Sequence, residues 1–114
     1  MTTIHGDTNK PESFTLRIKW PACYVAPSHW HPYDQEVTVL SGTFMIGFGD
    51  KIDKSEAKML GPGDYIFIPA NTPYYDWATR ETVLQLSAIG PQKTTLLNPE
   101  EFKAMIRAGN NKCP

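Results

Sequence analysis

His29 and His31 stand two residues apart in the run Ser28-His29-Trp30-His31. On an extended strand alternate side chains share a face, so both imidazoles project the same way, about 7 Å apart, where they can converge on one metal ion. After a turn at Pro32-Tyr33-Asp34 the chain returns with Gln35 as the first residue of the next strand. Gln35 then shares a face with Val37 and Val39, while Glu36, Thr38 and Leu40 point the other way. Further along, if Tyr74 faces the interior, so does Asp76, near the mouth of a pocket, and Tyr75 and Trp77 face out. Gln85 and Ser87 alternate with Leu84 and Leu86, and two polar residues at alternate strand positions are expected to line that pocket. Phe44 is expected among the aromatic side chains that fill it.

These residues need strands to hold them, and the sequence supplies strand punctuation. Ten Pro and eight Gly are scattered along the chain, with short runs rich in Val, Ile, Thr, Tyr and Phe between them. That pattern predicts strands at 14–20, 24–26, 28–31, 35–40, 43–48, 56–60, 65–68, 74–77 and 82–88. Short strands at such spacing imply an all-β sandwich or barrel that closes on itself, because an open sheet would leave long edges exposed. The end of the chain changes character. Asn98 can cap a helix that starts at Pro99, Glu101 completes a capping box, and Gly109 can stop it. Phe102, Met105 and Ile106 share one face of this predicted helix, about residues 99–108. The organisation expected is an N-terminal arm over 1–13, a barrel over 14–91 and a C-terminal segment over 92–114.

Length and charge exclude several classes. The chain has 114 residues, enough for one domain with a core. Eleven basic against twelve acidic residues, with no long run of one sign, indicate neither a nucleic-acid groove nor a polybasic membrane patch. The polar opening MTTIHGDTNK does not read as a signal peptide, and no apolar run approaches the roughly 20 residues of a membrane span. Three His and two Cys, the latter far apart at Cys23 and Cys113, cannot form a paired Cys/His zinc module. Two reduced thiols in a cytoplasmic protein are the expectation. Cys23 is expected to be a small strand residue without a nucleophilic role.

The arrangement resembles the cupin superfamily over roughly residues 14–91. The first motif of that family runs Gly, five residues, His-x-His, three or four residues, Glu, about six residues, Gly; here Cys23, His29, His31, Gln35 or Glu36, and Gly42 fall at those positions. The second runs Gly, five residues, Pro-x-Gly, two residues, His, and here Gly63, Pro69, Asn71 and Tyr74 fall there. The resemblance implies a double-stranded β-helix, two antiparallel sheets rolled around a pocket. It also implies a metal held by two His, a carboxylate and a third His, which at the matching positions of this chain are His29, His31, Gln35 and Tyr74. An anionic carboxylate and an imidazole are thus replaced by a neutral amide and a phenol. Asn71, in place of a Gly, tolerates positive φ better than most residues.

Three arrangements of the site are open at this point. A divalent ion, Mn, Fe, Ni, Cu or Zn, binds through His29, His31 and Gln35, with Tyr74 or water. Alternatively Glu36 replaces the missing carboxylate by a slip of register, which would turn the Val37 and Val39 face outward. In the third, the same four residues line a metal-free polar pocket. The expected function is that of a small cupin acting on a small oxygenated organic compound, with His29, His31 and Tyr74 as candidate acid–base groups, or of a metal-free binding or sensing protein. A homodimer is expected, formed through an edge strand left open.

Overall fold

In the computed structural model, which describes residues 1–97 and 100, the chain forms ten strands and one 3-10 turn. The strands are β1 (Thr2–His5), β2 (Ser13–Trp20), β3 (Val25–Trp30), β4 (Gln35–Ser41), β5 (Phe44–Phe48), β6 (Lys58–Leu60), β7 (Tyr65–Ile68), β8 (Tyr74–Ala78), β9 (Thr82–Ile89) and β10 (Thr95–Leu96). They form two five-stranded antiparallel sheets, in the orders β1-β2-β9-β4-β7 and β10-β3-β8-β5-β6. The all-β double-stranded β-helix expected from the sequence is the observed fold. The helix expected over 99–108 lies, apart from Glu100, outside the described residues.

Alternation of side chains explains how the two sheets close on each other. On the first sheet Gln35, Val37 and Val39 of β4 lie in register with Ala88, Leu86 and Leu84 of β9, and those with Phe14, Leu16 and Ile18 of β2. This is the inner face. Val37, Val39, Leu84 and Ile68 from it pack with Phe44, Ile46 and Tyr74 of the second sheet to form the main core. Nonpolar positions two apart on β2, β4 and β9 make this register strongly specified, since a slip of one would expose the whole set.

Two strands went unread in the sequence. β1 pairs with β2 at one sheet edge, with Thr2 opposite Arg17 and His5 opposite Thr15, so residues 1–13 include a sheet strand. β10 pairs with β3, placing Thr95 opposite Trp30 and Leu96 opposite His29. The predicted strands 24–26 and 28–31 are one strand, β3, with a register shift between Ala26 and His29. Pro27 lies in that gap. It has no N–H to give the ladder, so the pairing breaks there and resumes at His29.

Cys23 and Asn71 both take the left-handed backbone, with φ of 66° and 59°. The two positions where the family motif has glycine thus keep the conformation glycine favours. Cys23 is disulfide-bonded, which corrects the expectation of reduced thiols and removes the thiol argument for a cytoplasmic setting. Cys113 lies outside the described residues. Among the described residues no helix is long and apolar enough to cross a membrane.

Candidate functional site

A cavity of about 230 Å³ lies between the sheets and takes in His29, His31, Gln35, Phe44, Tyr74 and Asp76 in its wall. Four of these were expected to come together as a ligand set, and the fold does bring them together. The ring centroids of His29 and His31 are 5.0 Å apart, and that of Tyr74 lies 4.3 Å from His29 and 6.0 Å from His31. Gln35 donates from Nε2 to the Tyr74 hydroxyl at 3.1 Å. Both partners are buried, Gln35 almost completely.

The histidines are oriented by the backbone. Nδ1 of His29 lies 2.6 Å from the carbonyl of Pro27, which the break in β3 leaves facing the ring. Nδ1 of His31 lies 2.7 Å from the carbonyl of Lys93, on the segment leading into β10. A carbonyl only accepts, so each Nδ1 carries the proton and each Nε2 keeps its lone pair. His31 also stacks on Tyr33, with centroids 5.2 Å apart and planes 19° from parallel. Burial lowers the pKa of His29 to about 4, against an opposing contribution from the Pro27 hydrogen bond, and the neighbouring His31 lowers it further. Burial lowers that of His31 as well. Both imidazoles are therefore neutral at neutral pH, the form that ligates a metal. Tyr74 is held as a phenol, because burial raises its pKa well above the usual value.

Asp76 is part of the cavity wall, as are Trp20, Tyr24 and Phe44. It was expected near the pocket mouth; it is instead buried, at 5% exposure. Burial raises its carboxyl pKa well above the usual range. Its Oδ1 is the one buried side-chain polar atom without a hydrogen-bond partner among the described residues. Tyr75 and Trp77, on the opposite face of β8, turn away from the cavity as expected but are covered as well. They stack at 6.3 Å, and the Tyr75 hydroxyl donates to the carbonyl of Asp53. Gly47, opposite Tyr75 in β5, has no room for a Cβ against that ring.

One expectation for the cavity is corrected. Gln85 and Ser87 do not line it; on β9 the inward residues are Leu84, Leu86 and Ala88, and the two polar ones face out. There Gln85 accepts from Arg17 at 2.8 Å and Ser87 lies 3.1 Å from the Thr15 hydroxyl. Glu36 faces out, as its alternation with Gln35 and Val37 predicts, opposite Phe67 and Ser87, and accepts from the Tyr65 hydroxyl at 2.9 Å. The register slip that would bring Glu36 inward is not taken.

The two polar motifs, their spacing and the rolled sheets decide the family. Residues 19–89 match the model of the cupin domain. The chain belongs to the cupin family. No curated protein sequence matches this cupin. Among solved structures, KdgF from Halomonas sp. is similar at 22% identity over 77% of this chain and 76% of that one, with a TM-score of 0.61. The DMSP lyase DddQ from Ruegeria pomeroyi is similar at 21% identity over 80% of this chain, with a TM-score of 0.64, but this cupin spans only 46% of its length. The salicylate 1,2-dioxygenase from Pseudaminobacter salicylatoxidans is similar at 15% identity over 77% of this chain and 26% of that one, with a TM-score of 0.65. At such identities the likeness is one of fold.

The donor set can be tested against the metal that the family motif implies. Among the described residues no three His, Cys, Asp or Glu side chains are grouped to hold an ion. What the cavity does offer is two neutral imidazoles with Nε2 unprotonated and an amide oxygen on Gln35, whose side chain Tyr74 holds in place. That set fits a divalent ion that accepts nitrogen and neutral oxygen donors.

Proposed function

We propose that this cupin binds a divalent metal ion through Nε2 of His29 and His31 and the amide oxygen of Gln35, and acts on a small oxygenated organic compound. The observation that carries this reading is the pair of backbone carbonyls, from Pro27 and Lys93, that fix both imidazoles in one tautomer. Metal-ligating histidines are commonly oriented in this way, by an acceptor on the other ring nitrogen. A bound ion supplies Lewis-acid polarisation of a ligand oxygen. The chain itself does the rest. Tyr74 holds Gln35, the Val37, Leu84 and Leu86 side chains keep the surroundings apolar, and the neutral phenol of Tyr74 can give a hydrogen bond to an oxygen of the bound compound. The fold relatives named as a lyase and a dioxygenase support small-molecule chemistry of this type.

The test is calorimetric titration of chelator-treated protein with Mn, Fe, Ni, Cu and Zn. One ion per chain is expected, with affinity falling roughly a hundredfold or more in His29→Ala. Failure of all five ions to bind overturns the reading.

A second reading, a metal-free binder of small polar molecules, is favoured by the bond between Gln35 and Tyr74, which satisfies both side chains without an ion. Thermal shifts produced by small polar compounds in the presence of chelator would support it.

A further inference from the structure

Asp76 is the buried polar side chain of the cavity wall that the metal reading leaves unused. Its Oδ1 is buried without a partner, although most buried polar atoms in folded proteins have one. The lack is built into the strand register. Across β8, Asp76 faces Ala26 on β3 and Ile46 on β5, neither of which carries a side-chain donor. No Lys or Arg is found in the cavity wall among the described residues. The neighbours on the same strand behave differently, since Tyr74 pairs with Gln35 and Tyr75 with Asp53.

Phe44, two residues from the Ile46 that lies opposite Asp76, belongs to an aromatic group in the same cavity wall. Trp20 lies 4.9 Å from Tyr24 and 5.7 Å from Phe44, measured between ring centroids. Aromatic faces attract cations, and a buried carboxyl attracts them more strongly when the cation also donates a hydrogen bond. An anionic or purely apolar group would leave Oδ1 as it is. A quaternary ammonium would satisfy the rings but has no N–H for the oxygen.

We propose that the Asp76 end of the cavity is a subsite for a protonated primary or secondary amine, so that the compound bound here is a small amine with an oxygen function at its other end. The amine donates to Asp76 and lies against Trp20, Tyr24 and Phe44, and the oxygen function reaches the His29 and His31 end. This assignment rests on the proposed function for the oxygen end of the compound only. The cavity of about 230 Å³ falls below the roughly 300–1,000 Å³ usual for larger ligands, which restricts the compound to a small metabolite.

The probes are straight-chain ω-amino carboxylates of two to six carbons, each compared with the carboxylate lacking the amine and with its N-trimethyl form. Binding is measured by calorimetry with wild-type protein and with Asp76→Asn, whose fold is checked by circular dichroism. At least one amine is expected to bind about tenfold or more tighter than both comparison compounds, and Asp76→Asn is expected to erase that preference. Equal affinity for amine and amine-free carboxylate, a preference that survives in Asp76→Asn, or no binding of any amine overturns the proposal. If Asp76→Asn does not fold, the wild-type comparison decides alone. Metal stoichiometry is measured on the same samples. Loss of the ion in folded Asp76→Asn assigns Asp76 to the metal and overturns the amine subsite. An amine preference in protein that binds no metal supports the subsite while removing the metal reading.

Discussion

At one end of the cavity Nδ1 of His29 and of His31 each meets a backbone carbonyl, and Gln35 bonds to Tyr74. At the other end, on the same strand as Tyr74 and two residues on, the Asp76 carboxyl has an oxygen with none. The histidine end is arranged in advance, and its geometry costs little because the hydrogen bonds that orient it also stabilise the fold. The Asp76 end lowers stability for as long as it stays empty of a donor. Fold stability alone would select against such a group, which marks that end as kept for something it binds.

The two ends also respond to pH in opposite directions, which gives the largest stability effect. The folded-state pKa of His29 is about 4 against 6.5 in the unfolded chain. Between those values the unfolded chain takes up the proton more readily. The contribution of neutral His29 is therefore full above pH 6.5 and is lost as pH falls toward 4. At about 1.4 kcal/mol per pH unit the total is at most about 3.5 kcal/mol. Urea unfolding of the metal-free protein from pH 8 to pH 4 should show this decline, and His29→Gln should flatten it. An unchanged slope in His29→Gln would show that the buried imidazole is not the group responsible.

Asp76 works the other way. Its folded-state pKa is raised, so its protonated form favours folding below the ordinary carboxylate pKa and that contribution is lost as pH rises. Asp76→Leu removes the buried carboxyl and should raise stability at pH 7 by about 1–3 kcal/mol, with a smaller gain at pH 4. The same substitution should weaken binding of amines. Stability unchanged or lowered at pH 7 would mean that Asp76 is satisfied in solution and that the contrast between the two ends is false.

Much of the histidine end could be read from the sequence because two periodicities agreed there. His29 and His31 lie at alternate positions, and Gln35 shares parity with Val37 and Val39, whose burial fixes the face. Gln85 and Ser87 were misplaced because alternation sorts a strand into two faces without saying which is inward. The three apolar residues Leu84, Leu86 and Ala88 were the better indication, since a cavity in a small barrel is walled mainly by the core face. The carbonyl of Lys93 could not have been found, because it reaches His31 from a segment 62 residues away that the two-residue strand β10 holds in place. The missing partner of Asp76 depends on Ala26 and Ile46 across two neighbouring strands, and a cross-strand register is not written in any one segment.

Glu36 gives the smallest effect and the sharpest check on that reading. It is adjacent to Gln35, carries the carboxylate that the family motif leads one to expect, and would restore an anionic ligand if β4 slipped by one residue. The register opposes this: Glu36 lies opposite Phe67 and Ser87 on the outer face, bonded to Tyr65, while Val37 and Val39 are buried on the inner one. Exposing both valines would cost about 3 kcal/mol or more, beyond what one added carboxylate contact at the sheet surface returns. Glu36→Gln should therefore leave metal affinity within about twofold and stability within about 0.5 kcal/mol. Tenfold weaker metal binding in that variant would place Glu36 at the ion, require the slipped strand, and move Gln35 out of the cavity along with it.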